Sequence, residues 1–143
     1  MSGVERALLY ATAIQTGLRS KELRTLTRGK LHLTEPSPFL TAKPGGTKNK
    51  KLARQYIQPE LAIELQNLVG KKLAGAVVFT LPVEHDIADM FRADLAKARL
   101  EWLNTFQDAQ QRIEREASDF LQPINRRVRG SISIHYGTLQ RLG

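Results

Sequence analysis

The sequence predicts an α+β fold, mainly α, with one small antiparallel sheet and a hairpin. Three observations predict it. Apolar residues recur at helical spacing near the start and again from residue 84. Between these stretches, two short strand-like segments flank a glycine- and lysine-rich turn. Glycines at the ends and a proline at the start of the apolar runs punctuate helices. With 143 residues and 41% hydrophobic content, the chain has the size of one domain or one piece of a domain.

The elements follow in order. Val4, Leu8, Ala11 and Ile14 fall three or four apart and predict a first buried helix, which Gly17 closes. Ser20 is the expected N-cap of a short second helix. Glu22 lies in its first turn, where the helix dipole favours a carboxylate, and Leu23 and Leu26 turn inward. Leu31 and Leu33 then alternate with polar residues, residues 39–42 read as a strand, and residues 52–57 read as its partner. Residues 44–51 form the expected hairpin tip. Pro59 opens a helix with Leu61, Leu65, Leu68 and Val69 on its apolar positions, and Gly70 ends it. Residues 77–81 are a short apolar segment ending at Pro82. From Glu84, Ile87, Phe91, Leu95 and Ala98 share one helical face, and residues 100–115 are expected to continue as one or two helices, with Trp102 and Phe106 in the core.

Charge narrows the function. The chain carries 22 Lys+Arg against 14 Asp+Glu, a formal net charge of +8, which favours a polyanionic partner. Much of the excess stands in residues 19–54: Arg19, Lys21, Arg24, Arg28, Lys30, Lys43, Lys48, Lys50, Lys51 and Arg54, against Glu22 and Glu35. The absence of cysteine excludes a disulfide framework and a thiolate zinc site. No apolar run approaches the ~18 residues of a membrane span, and the first residues lack the marks of a signal peptide. A soluble, cytoplasmic protein without a membrane partner is expected.

Other chemistry is weakly supported. His32, His85 and His135 lack metal-ligand spacing. Asp86 with Asp89, and Glu114 with Glu116, read as solvated helix faces. The stretch "KPGGTK" lacks the Gly-Lys-Ser/Thr ending of a nucleotide-binding loop. Neither a cofactor nor a small-molecule substrate is expected.

Arg19 stands two residues past the helix-ending Gly17, at the threshold of the second helix. It is either a solvated charge or a phosphate ligand. The solvated reading is the ordinary one, but a cation is disfavoured at a helix start, and the residues around it form a pattern. "ATAIQTGLRSKELRTLT", followed by "TKNKKLARQYIQPELAIEL", resembles the first half of the catalytic domain of the tyrosine recombinases, the phage-integrase family. The family's first box reads Thr-Gly-Leu-Arg-x-x-Glu-Leu, and Thr16, Gly17, Leu18, Arg19, Glu22 and Leu23 match it position by position. "FRADLAKARLEWL" and "REASDFLQPIN" extend the likeness, which covers residues from about 4 to 125.

The resemblance implies a partial recombinase catalytic-domain fold and a role in DNA integration and recombination. In the family, a tyrosine attacks a DNA phosphodiester, two arginines hold the charge of the transition state, and no metal is required. Arg19 stands at the place of the first phosphate-binding arginine, and Glu22 at that of the acidic residue supporting it. An arginine fork donates to two phosphate oxygens at once, which a lysine cannot do. Lys48 best matches the family's hairpin lysine, with Lys50 and Lys51 as rivals; such a lysine can protonate the leaving oxygen. The bland reading of Lys48 is a charge that protects a hairpin edge. Lys21, Lys43, Lys48, Lys50, Lys51 and Arg54 would contact phosphates without sequence preference. Double-stranded DNA is the implied partner, with other recombinase protomers as a further one.

The family's second box, His-x-x-Arg-His, and its nucleophilic tyrosine should follow "SDFLQPIN" but do not. Tyr136 lies where the second box belongs. Synonymous codons exist for residues 132–143 such that the frame starting at the third base of the Ile132 codon reads Phe-His-Ser-Leu-Arg-His-Thr-Ala-Ala-Ala-Trp, which looks like that box. Either histidine codon followed by a tyrosine codon forces the leucine. The expectation is a frameshift between about residues 125 and 131, giving a partial catalytic domain over residues 1–125 and an out-of-frame tail over residues 126–143. The family's N-terminal DNA-clamping domain and the first catalytic-domain helix are likewise expected to be missing before Met1. Three readings stand: an inactive recombinase fragment, which is preferred; a small basic DNA-binding protein without catalysis; and a basic structural or ribosome-associated protein whose box is accidental.

Overall fold

The computed structural model describes residues 1–42 and 53–122. Their elements fall in two compact units divided between Pro82 and Val83. The first holds α1 (Gly3–Thr16), α2 (Ser20–Arg24), a 3-10 turn (Arg28–Lys30), β1 (Leu31–His32), β2 (Phe39–Ala42), β3 (Ala53–Tyr56) and α3 (Pro59–Val69). The second holds α4 (Glu84–Leu103) and α5 (Ala109–Ala117). The mainly helical α+β architecture with a small antiparallel sheet is therefore present. The expected tail over residues 126–143, with Tyr136, lies outside the described residues.

Helix α1 starts at Ser2, whose hydroxyl accepts the Glu5 N–H at 3.1 Å. It ends where Gly17 takes φ 68°, a left-handed conformation that glycine adopts without a Cβ penalty, and gives its N–H to Ala13. The buried face differs from the expected one. Leu8, Leu9 and Thr12 are buried, whereas Val4 is 67% exposed and Ile14 36%. The shift is possible because the Thr12 hydroxyl donates to the Leu8 carbonyl at 2.7 Å, so a polar side chain enters the core with its hydrogen bond made.

Ser20 is not the cap of α2. It is the first helical residue, and Arg19 occupies the N-cap position. The Glu22 carboxylate reaches back to accept the Arg19 N–H at 2.8 Å, the half of a capping box that an acidic side chain supplies. The arginine side chain has no acceptor to supply the other half. Leu23 and Leu26 are buried, as their spacing predicts.

The sheet runs in the order β1-β2-β3, antiparallel throughout. Leu31 and His32 form a strand of two residues, and Leu33 falls outside it. Strand β2 has the expected bounds, whereas β3 ends at Tyr56, one residue before the buried Ile57. The register pairs His32 with Phe39 and Phe39 with Tyr56 in one row, and Leu31 with Leu40 and Leu40 with Gln55 in the next. Side chains alternate across the sheet, so Leu40, Ala42 and Ile57 share one face and face the core, all three buried. His32, Phe39, Thr41, Arg54 and Tyr56 share the other.

Pro59 takes the first turn of α3, where its missing N–H costs no hydrogen bond, and Leu61, Ala62, Leu65 and Val69 are buried along one stripe. Leu68 is only half-buried. The apolar segment after α3 is held to the chain after α2: Val78 N–H donates to the Leu26 carbonyl at 2.8 Å, and a bridge joins Thr27 to Val77. Val78 and Phe79 are almost fully enclosed.

In the second unit, Ile87 is buried, and Phe91, Leu95 and Ala98 are half-buried along α4. Asp108 caps α5 by accepting the Gln111 N–H at 2.7 Å. The guanidinium of Arg99 gathers the carbonyl of Glu116 in the last turn of α5 and those of Ser118 and Phe120 just beyond it. Trp102 packs on Phe120 at 4.8 Å between ring centres. Phe106 does not join a core with Trp102, contrary to the spacing. The helix stops at Leu103, which breaks the four-residue phase between the two rings, and Phe106 is left 37% exposed with Arg112 over its face. Among the described residues, no helix is long and apolar enough to cross a membrane.

Candidate nucleic-acid interface

The turn that presents Arg19 is locally fixed. Thr16 donates its hydroxyl to the Thr12 carbonyl at 2.6 Å and accepts the Leu18 N–H at 3.3 Å. Gly17 reverses the chain and Leu18 is buried. This leaves Arg19 exposed at the start of α2, with Glu22 holding its backbone. No described residue bonds the Arg19 guanidinium, and Lys21 is exposed beside it in sequence.

The basic residues of the first unit separate into two sets. Arg24 donates its terminal nitrogens to the carbonyls of Leu81 and Pro82. Its Nε is buried without a hydrogen-bond partner among the described residues. Arg28 donates Nε to the Val69 carbonyl at 3.2 Å. Both guanidinium groups close the fold. Arg54 is exposed on β3, opposite Thr41, with its guanidinium 4.6 Å from the Phe39 ring centre.

Lys43, Lys48, Lys50 and Lys51 lie outside the described residues. The strand ends that flank them are described: Ala42 pairs with Ala53. Ala42 also lines a cleft of about 140 Å³ together with Glu22, Thr25, Leu26, Lys30 and Thr41. Ala42 at the end of β2 and Glu22, which holds the Arg19 backbone, thus line one cleft. Glu22 and Lys30 give that cleft both signs of charge.

The charge excess is local. Residues 83–122 carry nine acidic side chains against five basic ones, Arg92, Lys97, Arg99, Arg112 and Arg115. Several of these are engaged within the second unit: Arg92 with Asp89 and Arg112 with Glu116, each at 2.9 Å. The net positive charge therefore resides elsewhere in the chain. Among the described residues, no group of three or more His, Asp or Glu is placed to hold a metal ion.

One feature of the first unit was not legible in residue spacing alone. The outer face of the sheet carries an aromatic row, His32 stacked on Phe39 at 4.5 Å and Phe39 beside Tyr56 at 5.7 Å. The alternation of Arg54 and Tyr56 was the available signal, but only the register brings His32 and Phe39 into line with Tyr56. No family model matches the chain, and no curated protein or solved structure matches it significantly.

Proposed function

We propose that the chain binds the phosphate backbone of double-stranded DNA, as the first half of a tyrosine-recombinase-like catalytic domain, and that Arg19 is its central phosphate ligand. The observation that carries this reading is the form of the box itself. Thr16, Gly17 and Leu18 build a closed turn, Glu22 is spent on the Arg19 backbone, and the guanidinium is left exposed without a bond to any described residue. Arg24 and Arg28, by contrast, are consumed by carbonyls. Lys21, Arg54 and the lysines of residues 43–51 would add phosphate contacts of the kind that give affinity without sequence preference. Lys48 is the proposed hairpin lysine, with Lys50 and Lys51 as rivals. A cytoplasmic location and an association with protomers of an intact recombinase belong to the same reading.

The reading assigns binding and not strand cleavage. The residues that carry the resemblance, Arg19, Glu22 and the hairpin lysine, are ones that would hold and neutralise a phosphate. Fluorescence anisotropy with a labelled duplex over a range of salt concentrations tests the binding. Arg19→Ala should weaken binding and reduce the slope of log affinity against log salt by about 0.9, the value of one lost phosphate contact. Lys97→Ala, in the net-acidic stretch of residues 83–122, should leave both unchanged. Equal binding by the wild type and Arg19→Ala removes the proposal.

Sequencing the gene through the codons for residues 125–143 separates the two versions of this function. A shifted frame reading His-Ser-Leu-Arg-His-Thr marks a recombinase remnant. Its absence leaves a small basic DNA-binding protein without catalysis.

A further inference from the structure

We propose that the outer face of the three-stranded sheet binds single-stranded nucleic acid, with Tyr56 as the ring on which an unpaired base stacks and Arg54 as the adjoining cation. The register builds this face. His32, Phe39 and Tyr56 stand in one cross-strand row, and Arg54 lies on the same face of β3, two residues from Tyr56. Phe39 is buried beneath its neighbours: His32 stacks on it at 4.5 Å and Arg54 lies over it at 4.6 Å. The Phe39 ring is therefore used up inside the protein. Tyr56 is not, since its ring tilts 56° against Phe39 and the residue remains 58% exposed.

Tyr56 is the exposed ring of this row. The large ring is supported from one side by Phe39 and placed beside a guanidinium, in a chain with a net charge of +8. A flat π surface with a fixed cation next to it is the combination by which single strands are held: the base stacks and the phosphate pairs. An apolar protein partner would leave the guanidinium without a counter-charge on burial, and an acidic peptide would have no use for the ring. Paired DNA does not offer a free base face, so this site differs in ligand from the one proposed at Arg19, and its argument does not depend on that reading.

The test uses the full chain and three labelled probes: an oligothymidylate, the same strand built of abasic nucleotides, and a duplex. Tyr56→Ala should weaken oligothymidylate binding about tenfold, within the range that one base–aromatic stack supplies, and Tyr56→Phe should restore it. Neither variant should change binding of the abasic strand or the duplex, and Arg19→Ala should lower duplex binding while keeping the Tyr56-dependent difference. Thermal melting of both Tyr56 variants controls for folding. Three results overturn the proposal: no binding of oligothymidylate by the wild type, equal binding of the abasic strand, or no effect of Tyr56→Ala. Tyr56-dependent capture of polyglutamate would reassign the face to an acidic peptide and overturn it as well.

Discussion

Arg19 caps the start of α2 and Arg24 is its last residue, and their guanidinium groups have opposite fates. Arg24 is bound to the carbonyls of Leu81 and Pro82, so its charge helps to close the first unit. The Arg19 backbone is engaged, its N–H by Glu22 and its carbonyl by the Leu23 N–H, but no described residue bonds its guanidinium. The difference is set by position: a residue at the N-cap points away from the helix it begins, whereas one in the last turn meets the segment packed behind it. Gly17 makes the arrangement possible. Its φ of 68° is costly for a side chain with a Cβ, although open space surrounds the position at which a Cβ would stand. Gly17→Ala should therefore destabilise the chain by about 1 kcal/mol through backbone strain and not through a clash. Chemical denaturation measures this, and an unchanged midpoint would show that the turn adapts.

At the scale of elements, the helix boundaries follow local chemistry and the faces follow contacts. Pro59 and Gly70 bound α3 as the sequence implies, since proline is cheap in the first turn and glycine favours an end. The face of α1 is different because Thr12 can bury itself by bonding to Leu8, a choice that apolar spacing does not register. In the second unit, Arg99 ends α5 from outside by taking the carbonyls of Glu116, Ser118 and Phe120. A helix of nine residues is marginal alone in water, so this cap should matter. Arg99→Ala should speed amide exchange in α5 by several-fold, with little change in the first unit, because the lost charge-assisted bonds are worth about 1.5–3 kcal/mol each at most. Exchange that stays uniform across both units would count against the cap.

At the scale of the whole molecule, the net charge of +8 overstates the surface available for a polyanion. Arg24 and Arg28 are tied to carbonyls, and residues 83–122 carry more acid than base. Salt-dependent DNA binding should therefore depend on Arg19, Lys21 and Arg54 and not on Arg28. Arg28→Met should lower the melting temperature by freeing the Val69 carbonyl, while leaving the salt slope of duplex binding unchanged, since only a residue on a phosphate contributes to it. A reduced slope at unchanged stability would place Arg28 in the interface instead.

The sequence by itself determined the mixed helical and antiparallel class, the stop at Gly17, strand β2, the start of α3 and the inward turn of Leu23 and Leu26. All of these rest on residues a few positions apart. It also marked Arg19 and Glu22, because their pattern lies within eight residues of chain. What only the tertiary structure decided was which side chains remain free. Arg24, Arg28 and Arg99 are claimed by carbonyls from distant segments, and no local pattern announces such a carbonyl. The aromatic row on the sheet arose in the same way, from a register that aligns His32, Phe39 and Tyr56 across three strands. Local rules fix backbone conformation because its energies are short-ranged, whereas the partners of a long cation or an exposed ring are set by the packing of segments far apart in the chain.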